Sequence, residues 1–167
     1  SAFVVPARLP GITYGRKENK MGWNSQSTRP IAFENVRIPV DHRLGEEGEG
    51  FKFAMRGLDG GRINIATCSV GAAQGALDAA RAYMGERKQF NQVLAGFQAL
   101  QFKYADMATH TVAARAMVRL AACKLDSGSP DASTYCAMAK RLATDLGFQV
   151  CLDAQQLHGG YGYLKDY

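Results

Sequence analysis

"ATCSVGAAQGALDAA", Ala66 to Ala80, is the stretch that decides the fold. It sits inside a longer pattern in which Ala54, Leu58, Ile65, Ala73, Leu77 and Ala80 recur at helical spacing, so one long helix is predicted from about Phe51 to Gly85. The density of Ala, Ser and Gly allows close approach to that helix. A tightly packed neighbouring helix and a bound ligand explain it equally.

Working outward, a second helix is predicted from about Phe97 to Leu125, with Leu100, Tyr104, Met107, Ala114, Val118 and Ala121 as its apolar stripe. "DSGSPD", Asp126 to Asp131, breaks it. A third begins near Asp131 or Ala132 and runs to about Leu157, with Tyr135, Met138, Leu142, Leu146 and Leu152 as its stripe. Three long helices joined by short links make most of an up-and-down bundle. A fourth is wanted to close the core, and "YLKDY", Tyr163 to Tyr167, reads as its first turn.

Upstream the period changes. "AFVV" at Ala2 to Val5, "GITYG" at Gly11 to Gly15 and "RPIAFENVRIP" at Arg29 to Pro39 are short apolar runs bounded by Gly and Pro, with Ile31, Phe33, Val36 and Ile38 alternating with polar residues. This is the pattern of short antiparallel strands. There are too few of them to cover one another as a complete domain. The expected fold is therefore mainly α: a partial antiparallel β-domain over residues 1–48, then an incomplete four-helix bundle over residues 49–167, cut at its last helix.

Composition bounds the function. Apolar residues make up 47% of the 167, enough for a sizeable core, and the net charge of +5 is spread along the chain. That balance suits a soluble surface or an anionic ligand and gives no nucleic-acid signature. The four cysteines, Cys68, Cys123, Cys136 and Cys151, form no C-x-x-C pair and sit among apolar residues, so buried reduced thiols are expected. The three histidines, His42, His110 and His158, are scattered, and no metal site is expected. No apolar run approaches the roughly 20 residues of a membrane span.

No cluster announces a reaction. "GEEGEG" and "GGYGY" read as turns before phosphate cradles. Asp59 and Arg62 share a helix face, with Gly60 and Gly61 between them at a cost of about 1 kcal/mol each relative to Ala. Either something needs room there, or the pair is a surface ion pair beside a helix irregularity. Arg87 and Lys88 in "ERKQFN" complement the dipole at a helix C-terminus. With Phe90 the same segment suits an anionic ligand capped by an aromatic ring.

Taken together, "ERKQF", "FQALQFKYADMA" and "QLHGGYGY", with "MGWNSQSTRPIAFENVRIP" and "GEGFKFAM" before them, resemble the C-terminal half of the acyl-CoA dehydrogenase family along essentially the whole chain. "GWNSQ", "GLDGGRINIA" and "HGGYGYLKDY" resemble the branch that oxidises short branched, isobutyryl-CoA-like substrates. The resemblance implies an FAD enzyme, usually a homotetramer, that introduces an α,β double bond into an acyl-CoA and passes electrons to an electron-transfer flavoprotein. A mitochondrial matrix or a bacterial cytoplasm fits equally. An acyl-CoA oxidase, or a non-catalytic acyl-CoA-binding or oligomerising helical module, is the alternative.

By the same resemblance, Arg87 reaches the pyrophosphate of a neighbouring subunit's FAD. Gln89, Phe90 and Gln98 contact its nucleotide, and the loop Gln156, Leu157, His158, Gly159 and Gly160 receives the adenosine. Asp59 and Arg62 lie near the acyl-CoA, and Gly60 and Gly61 leave space for a branched acyl group. No catalytic residue is assigned. The base is expected beyond Tyr167, and the alternative family position matches Gly61, which has no side chain.

Overall fold

The computed structural model describes all residues from Ser1 to Tyr167. It divides into two compact units, Ser1–Met55 and Arg56–Tyr167. In the first, β1 (Ala2–Phe3) pairs antiparallel with β4 (Arg43–Leu44), and β2 (Ile12–Tyr14) with β3 (Ile31–Phe33), in the register Ile12 to Phe33 and Tyr14 to Ile31. The strand predicted to continue through Val36 and Ile38 stops at Phe33. Asn35 takes φ +51, a left-handed conformation that turns the chain out of the ladder. Phe33 and Ile31 remain more than half exposed, so these strands bury little of their own surface.

The second unit is helical. α1 (Gly50–Glu86) begins within the first unit and continues into this one without interruption; α2 (Gln98–Asp126) and α3 (Ala132–Leu157) follow. All three predicted helices are present with boundaries within one residue. α2 closes with a Schellman arrangement: Gly128, at φ +65, donates its N–H to Leu125 O and Ser129 N–H reaches Lys124 O, satisfying two of the last carbonyls. Asp131 precedes α3, but its carboxylate caps nothing. Lys124 Nζ and Ser129 Oγ donate to it instead, which holds it below its ordinary pKa.

On α3 the seam lies one residue from where large side chains place it. Besides Asp59, buried positions are Ala66, Val70, Ala73, Leu77, Ala80 and Met84 on α1, Met107, Thr111, Ala114, Val118 and Ala121 on α2, and Ala132, Cys136, Ala139, Ala143, Gly147, Val150, Ala154 and Leu157 on α3. Steps of three and four residues alternate along most of each helix, the spacing of a bundle seam. On α2 Met107, Ala114, Val118 and Ala121 are buried as expected, while Leu100 and Tyr104 are only partly buried. On α1 Ala54, Leu58 and Ile65 are exposed, and on α3 Met138 and Leu152 are exposed while Tyr135, Leu142 and Leu146 are only partly buried. Small residues occupy the seam because the helices are close: a Cβ on Gly147 would meet Ser69 O of α1 at 3.0 Å.

Two apolar clusters result. One joins the first halves of α1 and α3 to the end of α2, through Ala66, Val118 and Cys136. The other joins their second halves to the start of α2, through Leu77, Met107 and Val150. The direction is thus up, down, up. Cross-links follow it: Arg115 of α2 donates to Gln74 of α1, and Lys103 of α2 to Asp153 of α3. Thr111, buried in this seam, returns its hydroxyl proton to Met107 O and leaves no polar group unpaired.

Two other expectations change, and one element is new. The "YLKDY" segment is not a helical turn here: a 3₁₀ turn covers Gly159–Tyr163 and Leu164 is extended. Cys68 and Cys123 are exposed and Cys151 is partly buried, so only Cys136 is a core thiol, pushed up by burial and by the Asp59 charge. Between α1 and α2 the chain forms a hairpin, β5 (Lys88–Gln89) with β6 (Gln92–Val93). No helix is long and apolar enough to cross a membrane.

Candidate functional site

α1 ends at Glu86, and Arg87 is the next residue; its N–H still reaches Tyr83 O at 2.9 Å while its carbonyl accepts from Leu94 N–H at 2.8 Å. The hairpin turns on Phe90 and Asn91, both with positive φ (53 and 64), the conformation of a two-residue type I′ turn. Arg87 is thereby fixed from both sides. At the far end of α3, His158 caps the helix and Gly159, at φ +59, turns the chain out of it. The following turn packs so closely that Gly162 has no room for a Cβ against Gln155 O.

These two ends meet around a cavity of about 530 Å³. Tyr83, Leu94, Leu100 and Leu157 supply apolar wall, and Arg87, Gln89, Gln156 and His158 supply polar groups. The rings are ordered. Tyr83 stacks on His158 with centroids 4.5 Å apart, and the Arg87 guanidinium lies 5.0 Å from the Tyr161 ring centre. His158 Nδ1 is 2.8 Å from Ala154 O, so a carbonyl acceptor places the proton on Nδ1. None of the ion pairs in the chain involves Arg87. A half-buried guanidinium without a carboxylate keeps its forked donors for an anion.

Seven of the residues singled out from sequence line this cavity: Arg87, Gln89, Gln156, Leu157, His158, Gly159 and Gly160. Two do not. Phe90 points outward, 88% exposed, with its edge toward Phe97, and Gln98 is an exposed residue at the start of α2. Sequence reading missed Tyr83 and Tyr161. Tyr83 had a signal, since it precedes Arg87 by one helical turn and so shares its face.

The second constellation is separate. Arg62 Nη1 donates to Asp59 Oδ1 at 2.6 Å, and Asp59 Oδ2 accepts from Ser133 Oγ of α3. Asp59 is 9% exposed, and α1 runs unbroken through Gly60 and Gly61, so neither a surface pair nor a helix irregularity describes it. Nothing lies within 4 Å of a Cβ built on either glycine. From Arg62 to Arg87 the helix rises about 37 Å, too far for one small ligand to touch both.

Comparison with known proteins follows the same lines. The pattern of the family described as "Acyl-CoA dehydrogenase, C-terminal domain" matches residues 48–167. The chain belongs to the acyl-CoA dehydrogenase family. It is 53% identical over all 167 residues to the mitochondrial isobutyryl-CoA dehydrogenase of Bos taurus, covering 40% of that protein. It superposes on butyryl-CoA dehydrogenase from Megasphaera elsdenii with a TM-score of 0.95 at 45% identity, over 99% of this chain and 43% of that one. It likewise superposes on a chain of the structure described as "Electron transferring flavoprotein of Acidaminococcus fermentans: Towards a mechanism of flavin-based electron bifurcation", with a TM-score of 0.94 at 47% identity, over 99% of this chain and 43% of that one. The chain spans about 40% of the length of the curated relatives it matches. Acyl-CoA dehydrogenase family folds are mainly helical in this region, as the three helices here are.

Proposed function

We propose that the chain is part of an FAD-dependent acyl-CoA dehydrogenase acting on a short branched acyl-CoA, and that its domains divide near residue 48 into β-domain and bundle. The observation that carries the reading is the convergence of Arg87, Gln89 and the Gln156–Gly160 loop on one cavity. These residues suit a dinucleotide. The unpaired guanidinium matches a pyrophosphate by charge and by forked donors. Side-chain amides of Gln89 and Gln156 add polar contacts, and Gly160 leaves the backbone open to close approach. The Tyr83–His158 stack offers a flat wall to a ring.

When bound, the flavin would accept the β-hydride of the acyl group. The chain's own residues bind and orient. The glycines at 60 and 61 leave unfilled space on α1 where a branched acyl group fits, with Arg62 beside it. Since that region and Arg87 are about 37 Å apart, the reading assigns them to different flavin sites of a homo-oligomer, a tetramer in this proposal. No residue of this chain is assigned as the base. Support for the branched substrate is the 53% identity to isobutyryl-CoA dehydrogenase against 45% to butyryl-CoA dehydrogenase. An electron-transfer flavoprotein is the proposed acceptor, and a mitochondrial matrix or a bacterial cytoplasm the proposed location.

The experiment is a panel of acyl-CoA thioesters on the intact enzyme, read by flavin bleaching. Isobutyryl-CoA is expected to bleach the flavin faster than butyryl-CoA. Equal rates, or preference for the straight chain, would overturn the branched reading. Replacing Gly61 with Ala or Val is expected to depress isobutyryl-CoA turnover more than butyryl-CoA turnover.

A further inference from the structure

We propose that Ser133 is a positioning residue for substrate, acting through Asp59 to hold the Arg62 guanidinium toward the acyl-CoA. The inference rests on the reading above that Arg62 lies beside the substrate. Its own basis is a hydrogen-bonded relay across two helices that links residues 74 positions apart.

Asp59 is the only acidic side chain buried in the protein. A carboxylate is removed from water at a cost unless its oxygens are matched. Here each oxygen has one donor: Arg62 Nη1 on Oδ1 and the Ser133 hydroxyl on Oδ2. An ion pair three residues apart on one helix is weak and holds no fixed geometry by itself. The hydroxyl from α3 supplies the second point that fixes the carboxylate, and it comes from the first turn of that helix, where a negative charge is favoured.

The relay fixes Arg62 without consuming it. Only one guanidinium nitrogen is engaged, and the side chain is 36% exposed. The remaining N–H groups form a preset fork. Gly60 and Gly61 leave the surface next to it unfilled. Cys136, one turn beyond Ser133, is a buried thiol and offers no competing charge. A simple glue between α1 and α3 has no need of a half-exposed arginine with spare donors.

The test is a double-mutant cycle on the full-length, flavin-loaded enzyme, with isobutyryl-CoA as substrate. Ser133→Ala is expected to raise KM roughly 3- to 10-fold with kcat within about two-fold, and Ser133→Thr to restore it. Arg62→Ala is expected to raise KM at least as much, and adding Ser133→Ala to it to cost nothing further. Melting temperature, measured on every variant, separates folding from binding. If Ser133→Ala lowers only the melting temperature, or if its effect on KM persists undiminished in the Arg62→Ala background, the positioning role is overturned while the function stands. If Arg62→Ala leaves KM unchanged, the placement of Arg62 at the substrate is wrong and the inference falls with it.

Discussion

The guanidinium of Arg87 sits over the ring of Tyr161, 5.0 Å from its centre, although one follows α1 and the other follows α3. The stacking leaves the edge N–H groups of the arginine directed away from the ring and free for an anion. Arg87→Ala in the intact enzyme is expected to weaken FAD retention about 10- to 100-fold, the worth of one or two charge-assisted hydrogen bonds. Tyr161→Leu should weaken it less, because it releases the arginine without removing it. Flavin-to-protein ratio after dialysis is the measurement, and an unchanged ratio for Arg87→Ala removes Arg87 from the cofactor site.

Gly147 and Gly75 test how the bundle is packed. Both lie inside helices, but Gly147 is buried against Ser69 O, whereas nothing lies within 4 Å of a Cβ at Gly75. Gly75→Ala is expected to stabilise by about 1 kcal/mol through helix propensity alone. Gly147→Val should destabilise by about 1–3 kcal/mol, since a backbone oxygen cannot rotate away. Chemical denaturation of both variants gives the comparison. Stabilisation by Gly147→Val would mean that α1 and α3 are farther apart than described.

Helix existence and limits were legible because 3.6-residue periodicity, "DSGSPD" and the glycines after α2 and α3 are local signals. The seam was not. Reading α3 by its large residues selects Tyr135, Met138 and Leu142, one position from the buried Cys136, Ala139 and Ala143. Size is a guide to burial when helices stand apart. Where a glycine meets a backbone carbonyl, small residues fit best, and on α3 Tyr135, Met138 and Leu142 are displaced to the flanks. The cofactor candidates were legible as a family motif, and seven meet in space. Ser133 beside Asp59 was not, since no local rule couples positions so far apart in sequence.

Asp153 gives the fold a pH dependence. The hydrogen bond from Lys103 Nζ, 2.7 Å away on α2, is the main cause that holds its carboxyl below the ordinary 3.8, and Gln149 adds to it. A folded pKa below the unfolded one stabilises the native state above the unfolded value. That stability is lost as pH falls through the folded pKa. Asp153→Asn is therefore expected to lose up to about 1 kcal/mol near pH 7, with the difference from wild type shrinking as pH falls below the ordinary 3.8 and through the lowered folded pKa. The Asp153 side chain is 20% exposed and its partner 38%, so salt should reduce the effect. A constant difference across that range would show that the pair does not titrate with folding.

Phe90 occupies a backbone conformation that costs a side-chain-bearing L-residue roughly 1–2 kcal/mol, and it spends its ring on the surface, 88% exposed with only an edge contact to Phe97. Glycine suits this turn position far better. Nothing within the chain's own packing compensates, and the proposed place of Phe90 beside a neighbouring subunit's nucleotide would give the ring a use outside it. Phe90→Gly is expected to relieve the hairpin, leaving stability unchanged or higher by about 1 kcal/mol, while flavin retention falls severalfold. The two readouts move in opposite directions only if the ring binds. If thermal stability rises and the flavin-to-protein ratio holds, Phe90 is a tolerated strain with no part in the cofactor site.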